Sequence, residues 1–156
     1  FNNYYIQENE SYNYFKIFLK KFDSIKYYLK NDEDKIKLIY EYHKSKIKKL
    51  VDFINIIEIF CNEEFETIPN KLLNNEFKKN LKKFIYKLKK IDNWTENNIA
   101  VCIKDYINEE KIKFQIFGKP TRYLLTNNEN GISLSEIMFI LNKNITFKRL
   151  EKYINN

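Results

Sequence analysis

The chain has 156 residues, which suffice for one ordinary domain or for two small helical lobes. Its 28 basic and 21 acidic residues give a net charge of +7, so a polyanion is a candidate partner. Two distant cysteines and one histidine exclude a disulfide framework and a zinc site, and no apolar run is long enough to cross a bilayer.

Helical periodicity runs through most of the chain, and only two glycines and two prolines interrupt it. The first helix is predicted from about Ser11 to Leu29, and a second stretch is predicted to begin after a cap at Asn31 or Asp32. The second stretch is long for a globular helix, so a break near residues 44–45 is expected. The apolar stripes comprise Phe15, Phe18, Phe22, Ile25 and Leu29, then Ile36, Ile39, His43, Ile47, Leu50, Ile54, Ile57 and Cys61.

Residues 62–69 lack this periodicity and are the predicted boundary between two lobes. Thr95 suits the N-cap of a later helix, and Trp94 is expected to pack on Ile99 as a hydrophobic staple. The stripe of the third predicted helix comprises Leu73, Phe77, Leu81, Phe84 and Leu88. The fourth helix is predicted to bury Ile99, Cys102, Ile103 and Tyr106.

The last third of the chain is predicted to be less regular. Residues 111–117 are expected to form a connector, and Pro120 suits the first turn of a short helix that ends at Leu125. Residues 127–131 are predicted to be a loop because of their composition.

Two helices are predicted after this loop. Ser133 and Glu136 have the spacing of a capping box, which predicts a helix through Leu141. Thr146 is expected to cap a final helix that ends near Ile154.

No catalytic or metal site is predicted in this chain. Gly118 and Gly131 do not have the spacing of a phosphate-binding loop. His43 lies on an apolar stripe, where a lone histidine is far more often a packed side chain than a catalytic base. Cys61 and Cys102 also lie on apolar stripes and are expected to be structural thiols.

Basic residues are the remaining functional signal. Residues 44–49 and 78–90 are rich in lysine, but the polar faces of helices are the preferred explanation of such runs. The two arginines are more informative, since a guanidinium can both stack on a base and donate a forked pair of hydrogen bonds. Arg122 follows a Gly/Pro turn and is a candidate for reading a base, or alternatively pairs with an acid such as Glu129, whereas Arg149 is expected to be structural.

An ordered set of short motifs covers the last two thirds to three quarters of the chain. The set comprises Lys46 to Asp52, Trp94-Thr95-Glu96, Pro120-Thr121-Arg122-Tyr123-Leu124-Leu125-Thr126-Asn127, Leu134-Ser135-Glu136-Ile137-Met138, Leu141-Asn142-Lys143 and Arg149-Leu150. It resembles the C-terminal end of bacterial-type glutamyl-tRNA synthetases, which carry "P-L-R-x-x-L-T-G", "L-F-E-I/V-L" and "W-T-x-E" segments. The resemblance implies an all-α fold in which two lobes, residues 1–66 and 67–156, form an anticodon-binding helical cage.

The resemblance also implies what the parent protein does. It would be a glutamate–tRNA ligase, a class I aminoacyl-tRNA synthetase, whose ATP- and Mg-binding catalytic domain is absent from this chain. Since the chain begins with Phe1 rather than Met, we expect a piece of a longer protein. The piece itself would carry no cofactor, and we expect a monomer that binds glutamate tRNA and glutamine tRNA but no membrane.

Residue by residue, Arg122 matches the family arginine that stacks at the first anticodon bases. The matching pocket for the splayed-out bases comprises Gly131, Ile132, Ser133, Leu134 and Ser135, with Thr126 before it. The helix N-terminus at Ser133 is expected to offer free N–H donors. The chain departs from the family where Asn127 replaces a glycine and Ile132 replaces a proline, which puts the base contacts of the loop in doubt.

Lys46 stands where many family members have an arginine that reads the third anticodon base. A lysine lacks the fork that favours cytosine over guanine there. We therefore hypothesise an enzyme that does not discriminate between glutamate and glutamine tRNA.

Two other kinds of function remain open. The chain could be a helical protein–protein interaction module, in which the lysines serve only solubility, or, less favoured, a membrane-surface module. The AT-rich codon bias suggested by the many Asn, Lys, Ile and Tyr residues predicts an organelle of a parasite, such as the apicoplast, or a bacterial-type cytoplasm.

Overall fold

The computed structural model describes residues 12–155, and the predicted helix start at Ser11 lies outside them. The described part of the chain folds into helices, which confirms the all-α prediction. They are α1 (Tyr12–Leu19), α2 (Asp23–Asn31), α3 (Glu33–His43), α4 (Asp52–Cys61), α5 (Asn75–Leu88), α6 (Glu96–Glu110), α7 (Phe114–Thr126) and α8 (Leu134–Asn155). The chain divides into two compact units, one ending at Glu64 and one beginning at Phe65.

Aromatic rings form the centre of the first unit. The rings of Phe15 and Tyr40 are stacked with centroids 4.7 Å apart, and the ring of Phe53 lies 4.7 Å from Phe15 and 5.8 Å from Tyr40. Phe15 and Phe53 are almost completely buried. Ring pairs of this kind contribute about 0.5–1.5 kcal/mol each beyond their area burial, so α1, α3 and α4 are held together at this point.

The predicted first helix is two helices, which corrects the sequence-based interpretation. Phe22 has an extended backbone (φ −111°, ψ 114°), and its N–H donates to the carbonyl of Leu19 at 3.0 Å. Leu19 and Ile25 are both fully buried. On one straight helix, side chains six residues apart point in directions that differ by about 120° around the helix axis. The chain therefore has to turn between Leu19 and Ile25 for both to be buried.

The predicted break near residues 44–45 is confirmed, because α3 ends at His43 and α4 begins at Asp52. Because residues 44–51 interrupt the helix, the buried face of α4 does not continue the stripe of α3. In consequence α4 buries Phe53, Ile57 and Phe60, whereas the predicted Ile54 and Cys61 are only half-buried. The side chain of Asp32 precedes α3 but makes no capping hydrogen bond.

The second unit packs α5, α6, α7 and α8 around another aromatic centre. Phe117 lies 5.0 Å from both Phe84 and Tyr106, measured between ring centroids. The N-cap at Thr95 is confirmed, since its hydroxyl accepts from the N–H of Asn98 at 3.2 Å. The predicted α6 core of Ile99, Cys102, Ile103 and Tyr106 is confirmed, as is the α5 stripe of Phe77, Leu81, Phe84 and Leu88. Leu73 precedes α5 and is half-buried.

The prediction for residues 111–117 is wrong, because α7 begins at Phe114 and continues through Gly118 and Pro120. Pro120 cannot donate to the carbonyl four residues earlier, so the helix lacks one hydrogen bond there. The Thr121 hydroxyl donates to the carbonyl of Phe117 at 2.7 Å. Complete burial of Phe117 against α5 and α6 outweighs the local cost of the proline.

The start of α8 is as predicted, but its second half is not. The N–H of Glu136 donates to the Ser133 hydroxyl at 3.2 Å and the N–H of Ser133 to the Glu136 carboxylate at 2.5 Å, which confirms the capping box. The helix breaks at Asn142 (φ 65°, ψ 171°), whose side chain accepts from the N–H of Ile145 at 3.1 Å. The cap is therefore Asn142, and the predicted Thr146 is instead fully buried.

Candidate nucleic-acid interface

An open cleft of about 480 Å³ lies in the second unit between α6, the start of α7 and the start of α8. We call it the arginine cleft. It brings together four residues that the sequence predicts as site residues: Arg122, Ser133, Leu134 and Ser135. Its other lining residues are Ala100, Ile103, Lys104, Ile107, Asn108 and Phe114.

Arg122 is one of two cations that line the arginine cleft, the other being Lys104. Its Nη1 donates to the carbonyl of Glu129 at 2.8 Å, and its Nε donates to the carbonyl of Ile132 at 3.2 Å. Arg122 therefore bonds the backbone carbonyl of Glu129, whereas the sequence had suggested an ion pair with its carboxylate. Burial lowers the pKa of the Arg122 guanidinium, which nevertheless stays charged at neutral pH. The charge thus faces carbonyl dipoles and can still accept an anionic partner.

The loop that Arg122 holds is anchored at its start by Asn127. At its start, Asn127 ends α7 with a left-handed backbone (φ 54°), and its side chain donates to the carbonyl of Glu66 at 2.9 Å. The same side chain accepts from the N–H of Ile68 at 2.9 Å. Asparagine tolerates the left-handed region, so the replacement of the family glycine by Asn127 preserves this turn. The loop is therefore attached to the segment that precedes α5.

Thr126, Gly131 and Ile132, the other predicted site residues here, stabilise the conformation of the loop. The Thr126 hydroxyl is buried and donates to the carbonyl of Arg122 at 2.9 Å. Gly131 is exposed, and its φ of 127° is a conformation that other residues rarely adopt. Ile132 is buried, so its carbonyl, and not its side chain, faces Arg122. Thr126, Gly131 and Ile132 therefore support the cleft without lining it.

The N-terminus of α8 provides the polar edge of the arginine cleft. The Ser133 N–H, expected to be free, is occupied by the Glu136 carboxylate. The first-turn N–H groups of Leu134 and Ser135 have no helical partner of their own, as in any α-helix, and remain suited to an anion. The hydroxyls of Ser133 and Ser135 lie 3.1 Å apart and add two polar groups at the same edge.

Phe114, Lys104 and Asn108 are lining residues that sequence reasoning missed. Phe114 is 42% exposed although it is a large aromatic residue. Its ring lies over Gly118, where an added Cβ would come within 2.4 Å of the ring. In the sequence, an aromatic residue four positions before a glycine could have indicated that the ring lies over the glycine. That inference requires knowing that residues 114–118 are helical.

Lys46 belongs to the first unit and is exposed in the segment between α3 and α4. Its backbone N–H donates to the carbonyl of His43 at 2.9 Å, which closes a turn directly after α3. His43 itself is buried, with its ring against Phe53 and Phe60 and its Nδ1 2.7 Å from the carbonyl of Ile39. It is a packed core residue.

Arg149 has a different environment from Arg122. It is 5% exposed, its Nη1 donates to the carbonyl of Leu125 at 2.6 Å, and its guanidinium lies 4.0 Å from the ring centroid of Phe65. These contacts join α8 to the end of α7 and to the segment before α5. Arg149 therefore has the structural role that its sequence position predicts.

Other kinds of site are not found between residues 12 and 155. No group of three or more His, Cys, Asp or Glu side chains converges there as a metal site requires. Burial raises the pKa of the Cys102 thiol, which disfavours the reactive thiolate. None of the helices in this range has the length and apolar character needed to cross a membrane.

Comparison with known proteins gives one family and several relatives. The family model described as "Anticodon binding domain" matches residues 13–154. "Glutamate--tRNA ligase 2" of Helicobacter acinonychis (strain Sheeba) is 41% identical over 76 residues, which cover 49% of this chain and 16% of the relative. "Glutamate--tRNA ligase 1" of Helicobacter pylori (strain HPAG1) is 40% identical over a stretch of the same length and coverage. "Glutamate--tRNA ligase 2" of a Nitratiruptor species is 30% identical over 128 residues, which cover 80% of this chain and 28% of the relative.

Proposed function

The chain belongs to the anticodon-binding domain family, and from that premise we propose that it is the anticodon-binding part of a glutamate–tRNA ligase and holds anticodon bases in the arginine cleft. The observation that carries this proposal is the position of Arg122. Its charged guanidinium lines the cleft with no carboxylate partner among the residues that the structure describes. RNA supplies negatively charged phosphates and flat bases, and a guanidinium can bind both.

The chemistry of the arginine cleft suits unstacked bases. Ile103 and Ile107 give it an apolar wall, and the partly exposed ring of Phe114 offers a stacking surface. Arg122 can contact a phosphate or stack on a base, while the N–H groups of Leu134 and Ser135 can donate to a phosphate or a base edge. A splayed-out anticodon base therefore finds an aromatic face, a cation and hydrogen-bond donors at one place.

We propose that the whole protein is a class I aminoacyl-tRNA synthetase that charges tRNA with glutamate. The chain spans only 16 to 28% of the length of the three relatives above, so the ATP- and Mg-dependent chemistry is assigned to a catalytic domain outside this sequence. We also propose that it works in protein synthesis of a bacterial-type cytoplasm or of an organelle such as the apicoplast.

The choice between glutamate and glutamine tRNA is proposed to rest on Lys46. This exposed lysine can approach a base or a phosphate, but it cannot make the forked contact of an arginine. We therefore expect the full-length enzyme to glutamylate both tRNAs. Aminoacylation assays with the two purified tRNAs test this, and an enzyme that leaves glutamine tRNA uncharged would exclude it.

Binding to RNA can be tested by fluorescence anisotropy with a labelled glutamate tRNA transcript at low and moderate salt. A transcript with a scrambled anticodon and an Arg122→Ala protein are the controls. We expect salt-sensitive binding that weakens when either the anticodon or Arg122 is changed. Salt-sensitive binding that is indifferent to both would leave only a basic surface, and a chain without RNA binding would favour the helical protein–protein interaction module.

A further inference from the structure

A second cleft, of about 700 Å³, lies along the exposed face of α5 and on a face of α6 next to the one that lines the arginine cleft. We call it the lysine cleft. Its α5 side and the residues just after α5 contribute Lys82, Lys83, Tyr86, Lys87 and Lys90. On the α6 side it is lined by Tyr106, Glu109 and Glu110. Four lysines against two glutamates leave this cleft with a net charge of +2.

The two glutamates are already paired. Lys83 forms a salt bridge with Glu110, and Lys87 forms one with Glu109 at 2.5 Å. Lys82 and Lys90 are exposed and have no carboxylate partner in the described chain. The positive charge that remains for a partner is therefore localised on these two lysines.

Tyr86 distinguishes this cleft from an ordinary lysine-rich helix face. Its side chain is 69% exposed, and the Nζ of Lys90 lies 4.5 Å from the centroid of its ring. A singly exposed tyrosine is ordinary on a protein surface, so its position inside a cleft lined by lysines is what matters here. An aromatic ring beside a cation that has no carboxylate partner is the combination that binds a single nucleic-acid strand through stacking and phosphate contacts.

The two clefts lie on neighbouring faces of one helix. Ile103 and Ile107 of α6 line the arginine cleft, whereas Tyr106 and Glu109 of the same helix line the lysine cleft. The diameter of an α-helix with its side chains is about 10–12 Å, so a few nucleotides suffice to connect the two clefts. A strand held in the first cleft can therefore continue into the second.

We propose that the lysine cleft is a second RNA-binding surface, which holds the strand next to the anticodon through Lys82, Lys90 and Tyr86 without reading its sequence. The proposal rests on tRNA binding in the arginine cleft for the identity of the RNA. It assigns affinity to the lysine cleft and base choice to the arginine cleft.

The test is the salt dependence of RNA binding by the K82A/K90A variant of the full chain, compared with K20A/K30A. The control removes the same charge from exposed lysines of the first unit. We expect K82A/K90A to weaken binding of the native and the scrambled anticodon by equal factors, and to reduce the slope of log K against log salt by about 2, one for each lysine. Equal behaviour of the two double variants would overturn the proposal.

Tyr86→Ala tests the stacking contact, with Tyr86→Phe as the matched control that keeps the ring. We expect about a tenfold loss of affinity in Tyr86→Ala with an unchanged salt slope, and near-native binding in Tyr86→Phe. If Tyr86→Ala binds as tightly as the native chain, the assignment of Tyr86 is overturned.

The two proposals fail in different ways. If anticodon identity has no effect but K82A/K90A still weakens binding more than its control, base reading in the arginine cleft is wrong and the lysine cleft stands. If anticodon identity matters and K82A/K90A matches its control, the lysine-cleft proposal is wrong and base reading in the arginine cleft stands. A chain that binds no RNA overturns both.

Discussion

Arg122 donates through Nη1 to the backbone carbonyl of Glu129, seven residues later, at 2.8 Å. This bond, together with the one from Nε to Ile132, fixes the loop that leads into α8. The same guanidinium lines the arginine cleft. A single side chain thus shapes the loop and supplies a positive charge to the proposed binding site, and variants must separate these two roles.

Arg122→Lys keeps the charge and removes the fork. The lysine has one nitrogen where the guanidinium uses two, so we expect it to bond one of the two carbonyls and to lower the free energy of unfolding by about 1–2 kcal/mol. Urea denaturation followed by circular dichroism measures this. A variant as stable as the native chain would show that the two carbonyls are satisfied without Arg122.

Gly118→Ala should affect binding more than stability. An added Cβ at Gly118 meets the ring of Phe114 within 2.4 Å, and this partly exposed ring has to move. The exchange of glycine for alanine within a helix favours folding by roughly 0.5–1 kcal/mol, which offsets the strain of displacing the ring. We expect unchanged stability but several-fold weaker tRNA binding by anisotropy.

The double variant G118A/F114A tests this explanation. If Gly118→Ala acts by moving the ring, it should have no further effect on RNA affinity once Phe114 is absent. Additive losses of affinity would show that Gly118 acts by another route.

Asn142 allows the break in α8. It has a positive φ of 65°, and its side chain caps the second half of the helix by accepting from Ile145. We expect Asn142→Ala to lose about 1–2 kcal/mol of stability through the cap and the backbone strain together. Asn142→Gly removes the cap but tolerates the backbone, so it should lie between the two. Thermal unfolding of the three proteins checks the order, and equal melting temperatures would contradict it.

Tyr106 should make folding sensitive to alkali. Its buried hydroxyl donates to the carbonyl of Asn80 at 2.7 Å, and burial, followed by the charge of Glu110, raises its pKa from 10.0 to about 12. Between these values the folded state holds a proton that the unfolded state has released. The corresponding stability is therefore complete below pH 10 and is lost as the pH rises towards 12.

The matched control is Tyr106→Phe, which cannot ionise. It should be less stable at neutral pH because the hydrogen bond is absent. Its stability should fall less steeply than that of the native chain between pH 10 and 12. Parallel pH profiles in urea denaturation would contradict this role of Tyr106.

Local signals predicted much of the fold. The stripe of α5, the cap at Thr95 and the capping box of Ser133 and Glu136 depend on neighbours within one or two turns, and all three are present. Residues 111–117 are predicted as a connector, with the helix starting only at Pro120, because local propensity does not include the burial of Phe117 between α5 and α6.

Likewise, some residues of the arginine cleft were predictable from local sequence and others were not. The residues from Ser133 to Ser135 follow from a local cap and a family resemblance, and the structure places them beside Arg122. Phe114 could not be assigned, since it reaches the cleft only when α7 starts four residues before Gly118 and packs beside α6. The start of α7 and its packing beside α6 both depend on tertiary contacts, which the sequence of a single segment does not reveal.

The most direct test of anticodon reading in the arginine cleft is a set of six anisotropy titrations, with three proteins against two transcripts. It pairs the native chain and Phe114→Ala with glutamate tRNA transcripts that carry the native or a permuted anticodon. Ile116→Ala, which changes an exposed residue of α7 outside the cleft, is the control. We expect the anticodon change to weaken binding by about tenfold or more in the native chain and the control, and much less in Phe114→Ala. An anticodon effect of equal size in all three proteins would contradict base binding in this cleft.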